Sequence, residues 1–410
     1  MTTRKIGMIL IITILFISMK ICAQMGPPPG SYKMLNDKST TTIPFKMVRN
    51  HIVITVQVNG SEDYEIVLDT GMPAHGALLH GGPKTDKLNL QFVGQAFIGG
   101  AGGSNQLKPA SIAEGVSITL GDIQLTDQAV VVMPYDSTSV LQRSHSGVIG
   151  FALFSRFAVK LDFEKMEITL TESNKFQYSG DGEIIPLEMN RDVPYFYTDV
   201  VTHDGSRVPL KLVIDVGAGH ALSLNLKSHD KLTLPENALK ARLGTGVSGD
   251  VIGHVGRVNT IFLGKFQVKN VVSSMTDGSI TGRPMAEEHG NLGTMTLKRF
   301  TVIFDYANKR MIVEPNSTLN DPFNYNMSGL QFVKENNSLF KIDRILKSSP
   351  AEKANIQIND WILQINGKST KEFTYDDLYE MLKKEGTKIE LLLKRGEKQI
   401  QTELVLERLI

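Results

Sequence analysis

The feature that most restricts the fold of this chain is an internal duplication. The stretch "GVIGFALFSRFAVKLDFEKMEITL" reappears later as "GNLGTMTLKRFTVIFDYANKRMIV". Four pairs of identical residues are each 143 positions apart: Gly147 and Gly290, Gly150 and Gly293, Arg156 and Arg299, and Asp162 and Asp305. A solenoid would need at least three copies of its repeat. Two long copies instead predict two pseudo-symmetric lobes.

Each copy contains two strands joined by a tight turn. Apolar and polar residues alternate before Asn59-Gly60, and the second copy has Asp204-Gly205 in the corresponding place. Both dipeptides are typical of two-residue hairpins. The returning strands end at Asp69 in "IVLDTG" and at Asp215 in "VIDVG", 146 positions later. Asp, Thr and Gly are also ordinary turn formers, so the duplication, rather than the triplet alone, indicates a paired site.

A glycine-rich hairpin and a short apolar element follow each aspartate. The hairpins read "FIGGAGGSNQ" and "LGTGVSGDVIG", and the apolar elements are Val148-Ile149-Gly150 and Asn291-Leu292-Gly293, the latter with a polar first member. This order resembles retropepsin-like aspartic peptidases, fused over roughly residues 43–317 into one two-lobed chain as in pepsin. The resemblance implies a mainly β fold with two β-barrel lobes. It also implies a catalytic dyad of Asp69 and Asp215 that activates a water without any metal or cofactor.

The same resemblance assigns supporting roles to several residues. Catalytic-loop support falls to Thr70, Gly71 and Gly217, and the flap that covers the substrate contains Gly99, Gly100, Gly102 and Gly103. The second hairpin is expected to be less flap-like, as in pepsins, where one flap serves both lobes.

Two positions depart from the family pattern. Val216 stands where the family has a hydroxyl residue. In the family, a hydroxyl from each aspartate loop hydrogen-bonds the other loop, and here only Thr70 offers one. Met72 replaces a small residue. His75 and His220 follow their aspartates closely, and the sequence leaves open a catalytic role or, as loop histidines more often have, a solvated one.

The C-terminal part, residues 322–410, has a different pattern. "SSPAEKANIQINDWILQINGKS" resembles a bacterial PDZ domain of the sort found on periplasmic proteases, which adds a small α/β domain to the predicted fold. Ser349 is placed to cap a helix, and Asn355 and Asn359 stand where that family has glycine, as positive φ would require. The resemblance implies a carboxylate-binding loop at Ser328-Gly329-Leu330 and binding of peptide C-termini beside the strand "LQFV". A purely structural docking domain is the alternative.

The N-terminus predicts export. Arg4 and Lys5 precede an apolar run at 6–17, and a small-residue cleavage site ends at Ala23. A signal peptide at 1–23 implies a periplasmic or secreted protein, and an uncleaved membrane anchor is the alternative. Cys22 is the only cysteine, so cleavage would leave no thiol. Residues 24–42 are predicted to be a flexible leader, followed by lobes at 43–175 and 180–318.

Composition and motif searches exclude other functions. The chain has 44 basic and 43 acidic residues, a balance that gives no electrostatic footprint for nucleic acid. Its nine histidines show no HExxH spacing, and no Gly-Lys-Ser/Thr follows "GGAGG", so neither zinc-peptidase nor phosphate-loop chemistry is indicated. We therefore expect an exported aspartic endopeptidase that acts on proteins or peptides, monomeric for catalysis. The alternative is a catalytically silent peptide-binding scaffold.

Overall fold

The computed structural model describes residues 30–100, 102, 107–136, 145–278, 288–335 and 339–410. The predicted signal peptide, the start of the leader and the flap residue Gly103 lie outside these ranges. Strands account for 54% of the residues and helices for 9%, which confirms the mainly β prediction. Within the described ranges, no helix has the length and apolar character needed to cross a bilayer.

Lobe 1 is a closed barrel with additional strands at its edges. Strands β5 and β10 pair in parallel, and the order β9-β6-β10-β5-β4-β8 closes into a ring because β8 also pairs with β9. The elements of this half of the chain are β1 (Tyr32–Met34), β2 (Thr40–Pro44), β3 (Lys46–Val48), β4 (His51–Val58), β5 (Asp63–Leu68), β6 (Ala77–His80), α1 (Pro83–Asp86), β7 (Gln91–Ile98), β8 (Lys108–Leu120), β9 (Ile123–Met133), β10 (Gly147–Ile149), α2 (Phe151–Phe154), β11 (Phe157–Asp162) and β12 (Glu167–Glu172).

Lobe 2 repeats this barrel. The order β15-β16-β21-β17-β20-β19 closes through pairing of β15 with β19, so each strand of the ring has a counterpart in lobe 1. Its elements are β13 (Glu183–Pro186), β14 (Glu188–Asn190), β15 (Val193–Val201), β16 (Arg207–Asp215), β17 (Leu222–Asn225), β18 (Leu239–Gly246), β19 (Gly249–Leu263), β20 (Phe266–Thr276), β21 (Gly290–Gly293), α3 (Thr294–Leu297), β22 (Phe300–Asp305) and β23 (Arg310–Pro315), with 3₁₀ turns at Leu226–Ser228 and Tyr306–Asn308.

A six-stranded sheet joins the lobes. It includes part of the segment predicted to be a flexible leader. Its order is β13-β23-β22-β11-β12-β2, with β11 and β22 antiparallel at the centre. Strand β2 begins within residues 24–42, the segment predicted to be flexible, and β1 pairs with β9 of the barrel, so the described part of that segment belongs to the fold. The reason is burial: β2 alternates exposed and buried residues, with Thr41 and Ile43 facing the core.

The C-terminal domain has its own sheet and core. A five-strand path, β24-β25-β26-β28-β29, carries a short β27, and the buried core includes Phe332, Phe340 and Leu378. Its elements are β24 (Leu330–Glu335), β25 (Leu339–Ile345), α4 (Pro350–Lys353), β26 (Trp361–Ile365), β27 (Lys368–Ser369), a 3₁₀ turn at Thr370–Glu372, α5 (Tyr375–Met381), β28 (Lys388–Arg395) and β29 (Lys398–Val405).

Local sequence signals in this domain are confirmed. The Ser349 side chain accepts the Glu352 N–H and so caps α4, as predicted. Asn355 and Asn359 have φ values of 54° and 74°. Both adopt the left-handed backbone that glycine or asparagine tolerates best.

The C-terminal domain also packs against the peptidase-like lobes. Leu346 and Ile410 form a buried apolar cluster with Ala241 and Val255 of lobe 2. Helix α5 meets lobe 1 where the Asp376 carboxylate accepts the Arg49 N–H at 3.0 Å.

Candidate active site

The two aspartates leave equivalent strands of the two barrels. Asp69 follows β5 directly and its N–H donates to the Ile149 carbonyl of β10, at 2.9 Å. Asp215 ends β16 and pairs in register with Gly293 of β21. Both side chains are half-buried. The duplication therefore places each carboxyl at the end of a strand held by a parallel neighbour, which fixes its position.

Glycine allows the two loops to approach each other closely. A Cβ atom at position 217 would lie 2.2 Å from Cγ of Asp69, closer than any real side chain could be placed. A Cβ atom at position 71 would lie 3.0 Å from Asp69 Oδ1 and 3.3 Å from Asp215 Oδ1, so these two oxygens are no further apart than the sum of those distances. The fold thus brings Asp69, Asp215 and both supporting glycines together.

The hydroxyl of Thr70 links the loops beneath the carboxyls. It donates to the Ile214 carbonyl at 2.7 Å and accepts the Val216 N–H at 3.0 Å. Thr70 is fully buried, so each bond satisfies a group that water cannot reach. Val216 is buried too, and its aliphatic side chain offers no reciprocal bond.

Lobe 2 adds polar contacts that sequence reasoning missed. The Thr294 hydroxyl donates to the Val216 carbonyl at 2.8 Å. The Asn291 amide donates to Asp215 Oδ2 at 3.0 Å, and its oxygen lies 2.7 Å from Nε2 of His220. The only sequence signal was that Asn291 occupies a position where the motif expects an apolar residue.

The two carboxyls are held differently. Asp69 Oδ1 accepts the N–H of Gly71 at 2.6 Å. Asp215 Oδ1 is buried and has no hydrogen-bond partner among the described residues. A buried carboxylate oxygen without a partner is costly, so this atom is suited to share a proton or a polar ligand with the carboxyl opposite.

Buried groups around the pair respond to its charge. The pKa of Tyr306 is raised well above its ordinary value by burial, and the charges of Asp69 and Asp215 raise it further. Burial lowers the pKa of His51, and the charge of Asp215 offsets part of that effect. Tyr306 also stacks on Phe154, with ring centroids 5.3 Å apart, so the floor of the site is largely apolar.

The histidines following the two aspartates have different surroundings. His75 Nε2 lies 3.3 Å from an Asp192 carboxylate oxygen, and its ring makes an edge contact with Phe151. His220 instead reaches Asp215 through Asn291. No sequence pattern distinguishes these two histidines, because their partners are residues that only the fold brings beside each loop.

The glycine hairpins of the two lobes meet at their tips. A Cβ at position 100 would lie 3.2 Å from Cβ of Val247, and a Cβ at position 102 would lie 2.2 Å from the carbonyl carbon of Ser248. Strands β18 and β19 form a hairpin comparable to that of β7 and β8. In the structure the second hairpin thus meets the first, which differs from the expectation that it is less flap-like.

Two backbone donors of the predicted carboxylate-binding loop make bonds within the C-terminal domain. The Ser328 N–H donates to Asn326 Oδ1 at 2.9 Å, and the Leu330 N–H donates to Ser328 Oγ at 3.0 Å. The Gly329 carbonyl accepts the Leu346 N–H. Carboxylate binding by this loop stays a prediction.

Two segments of the chain match known protein families. Residues 200–296 match the aspartyl protease family. That segment contains Asp215, Asn291 and β16 to β21 of the lobe 2 barrel. Residues 341–395 match the PDZ domain family. The aspartyl protease and PDZ resemblances are thus both confirmed.

These matches support a protease with a peptide-binding domain, whose partners are proteins or peptides. A comparison with curated proteins found no match. Within the described ranges, no three His, Cys, Asp or Glu side chains lie close enough to hold a metal ion.

Proposed function

We propose that this protein is an aspartic endopeptidase of the retropepsin-like kind, with Asp69 and Asp215 as its catalytic dyad. The observation that carries the proposal is the close approach of the two loops, where Gly217 lies against Asp69 and Gly71 against Asp215. Two carboxyls held this near each other cannot both ionise cheaply, so one retains its proton. The pair then contains one base and one acid.

The chemistry follows from that division. The ionised carboxyl takes a proton from a water molecule as the water oxygen attacks the peptide carbonyl carbon. The protonated carboxyl donates its proton to the carbonyl oxygen, giving a neutral tetrahedral intermediate. Collapse of this intermediate breaks the C–N bond, with one proton passing to the leaving nitrogen and the dyad returning to its singly protonated state.

The flaps have a complementary role. We propose that their meeting tips close over an extended peptide bound at the dyad and limit the access of water. Exposed apolar side chains on the first flap, Phe92 and Phe97, are suited to contact such a peptide. Because both aspartates belong to one chain, we propose that the monomer is the active unit, which light scattering of the active fraction can check.

The decisive experiment is peptide cleavage by the purified mature protein, over roughly pH 3–8. Asp69→Asn and Asp215→Asn serve as matched isosteric variants, with thermal midpoints measured for all three proteins. We expect cleavage by the wild type, inhibition by a statine-containing peptide and loss of cleavage in both variants. Equal product release by all three proteins would point to a contaminant and favour the silent peptide-binding alternative.

We also propose export to the periplasm or outside the cell, on the basis of the N-terminal sequence pattern alone. N-terminal sequencing of the protein made in its native host should begin near Gln24. A soluble cytoplasmic protein with Met1 intact would refute export, and a membrane-bound protein with Met1 intact would favour the anchor.

For the C-terminal domain we propose binding of an extended peptide along β24. Among the described strands β24 pairs only with β25, which supports strand addition at its other edge. To bind the carboxylate of a free C-terminus through their backbone, the N–H groups of Ser328 and Leu330 would additionally have to leave their present partners within the domain. Titrating the full chain with matched peptides bearing free or amidated C-termini separates the two modes. Absence of binding by either peptide would favour a structural docking role.

A further inference from the structure

The contact between Asn291 and Asp215 is unusual in its location. Asn291 lies on β21, a central strand of the lobe 2 barrel flanked by β16 and β17. Its side chain is 4% exposed, so its amide must find partners inside the protein. A buried amide in a strand position that motif and packing would both fill with an apolar side chain calls for a reason.

The hydrogen-bond chain fixes the orientation of this amide. An amide oxygen can only accept, so the 2.7 Å contact requires His220 to donate its Nε2–H to Asn291 Oδ1. The amide nitrogen therefore faces Asp215, and it donates to Oδ2 at 3.0 Å. The Nε2–H of His220 is available in both the neutral and the charged imidazole, so this series of hydrogen bonds does not depend on the protonation of His220. Burial lowers the pKa of His220, and the charge of Asp215 opposes that shift.

The two corresponding positions of lobe 1 hold no amide and no imidazole. The residue 143 positions before Asn291 is Val148, which offers no donor, and the residue 146 positions before His220 is Ala74. Asp69 is instead held by the N–H of Gly71, at 2.6 Å. For Asp215, the bond from Asn291 leaves Oδ1 as the oxygen without a partner. That oxygen is 3.3 Å from the Cβ position of Gly71 and so faces the opposing loop.

We propose that Asn291 is a positioning residue that holds Asp215 with Oδ2 bound and Oδ1 turned toward Asp69, and that His220 orients the amide for this purpose. The proposal rests on the dyad proposed above. Each carboxyl accepts an N–H, so the bond from Asn291 acts on where Oδ1 of Asp215 points and does not decide which carboxyl keeps the proton. The groups that face Asp215 are Asp69, His51, His220 and Tyr306.

The test is the Asn291→Val variant, which copies the residue of lobe 1. A lost bond to a charged group predicts a fall in kcat of about 10- to 100-fold, with little change in KM. The pH–rate profile, which reports the dyad as a pair, should move as well, and a merely structural role would not change it. Asn225→Val is the matched control. It removes a buried amide from neighbouring β17, where the Asn225 oxygen accepts the Lys227 N–H. This bond does not involve either aspartate, so kcat and the pH profile should stay unchanged.

A second pair of variants tests the role of His220. His220→Gln retains a donor and should keep most of the activity, whereas His220→Phe should approach the loss seen in Asn291→Val. A wild-type rate and pH profile in Asn291→Val would overturn the inference, as would an equal loss in Asn225→Val. Unfolding of Asn291→Val combined with full activity of His220→Phe would also overturn it. In each of these cases inactive Asp69→Asn and Asp215→Asn would leave the proposed function intact. Failure of the wild type to cleave any peptide would remove both.

Discussion

The two aspartate loops share one backbone design and differ in how their side chains are bonded. At equivalent positions, lobe 1 has Thr70 and Val148, and lobe 2 has Val216 and Asn291. Lobe 1 supplies the hydroxyl that ties both loops together, while lobe 2 supplies the amide that contacts its own carboxyl. The comparison teaches that a duplicated site can divide its tasks, with lobe 1 holding the loops together and lobe 2 orienting one carboxyl.

The largest expected difference between the loops concerns their glycines. In Gly217→Ala the new Cβ would overlap Cγ of Asp69, which must move, so we expect peptide cleavage to fall by a factor of about 100 or more. In Gly71→Ala the closest atoms would be 3.0 Å and 3.3 Å away, and a smaller loss is expected. Steady-state kinetics of the two variants measure the contrast, and equal losses would show that the loops are equally crowded.

Removing the Thr70 hydroxyl, which links the two aspartate loops, should have the next largest effect, on stability. Thr70→Val leaves the Ile214 carbonyl and the Val216 N–H without their bonds, at about 1–3 kcal/mol for each buried group. The free energy of unfolding, measured with urea, should therefore fall by about 2–6 kcal/mol. A fall below about 0.5 kcal/mol would mean that the loops do not depend on this hydroxyl.

The residue two positions before the short parallel strand of each lobe gives a pH-dependent contrast. It is His145 in lobe 1 and Glu288 in lobe 2. Burial lowers the pKa of His145 from 6.5 to about 3, with His80 and His51 adding to the effect. Because the folded pKa is below the unfolded one, its contribution to stability is present above about pH 6.5 and is lost as pH falls toward 3.

Between about pH 7.5 and 5.5, this one group should reduce the free energy of unfolding by about 1.4 kcal/mol. His145→Gln should remove that part of the pH dependence, whereas His203→Gln, at an exposed histidine, should retain it. Urea titrations at the two pH values make the comparison. Parallel pH dependence in wild type and His145→Gln would show that another group is responsible.

Restoring the missing hydroxyl should have the smallest effect. A hydroxyl at position 216 in Val216→Thr could bond the lobe 1 loop, and we expect a gain of at most about 1 kcal/mol, the typical net contribution of one hydrogen bond. A gain above about 2 kcal/mol would mean that, with valine at position 216, a buried polar group of the lobe 1 loop lacks a hydrogen-bond partner.

Part of the sequence signal for the N-terminal strand was present but easily missed. "TIPFKM" at 42–47 and "IIPLEM" at 184–189 repeat at a spacing of 142, close to the offset of the main landmarks. This repeat pairs β2 with β13, the two outer strands of the central sheet. The Pro, Gly, Ser and Thr content of residues 24–42 predicts a flexible leader, but Thr41 is buried and Tyr32–Met34 pairs with β9.

The sequence by itself determined the two-lobed plan, the turns and the ends of the strands that carry Asp69 and Asp215. These depend on short-range chemistry: alternating apolar residues, Asn59 and Gly60 at φ values of 50° and 68°, and glycine after each aspartate. Only the tertiary structure decided which side chains meet across the loops. The donor for Asp215 comes from a residue 76 positions away, and the grip of Thr70 joins groups 144 and 146 positions apart. Such bonds form only once both barrels have closed, because no local pattern fixes which of many polar side chains becomes the neighbour.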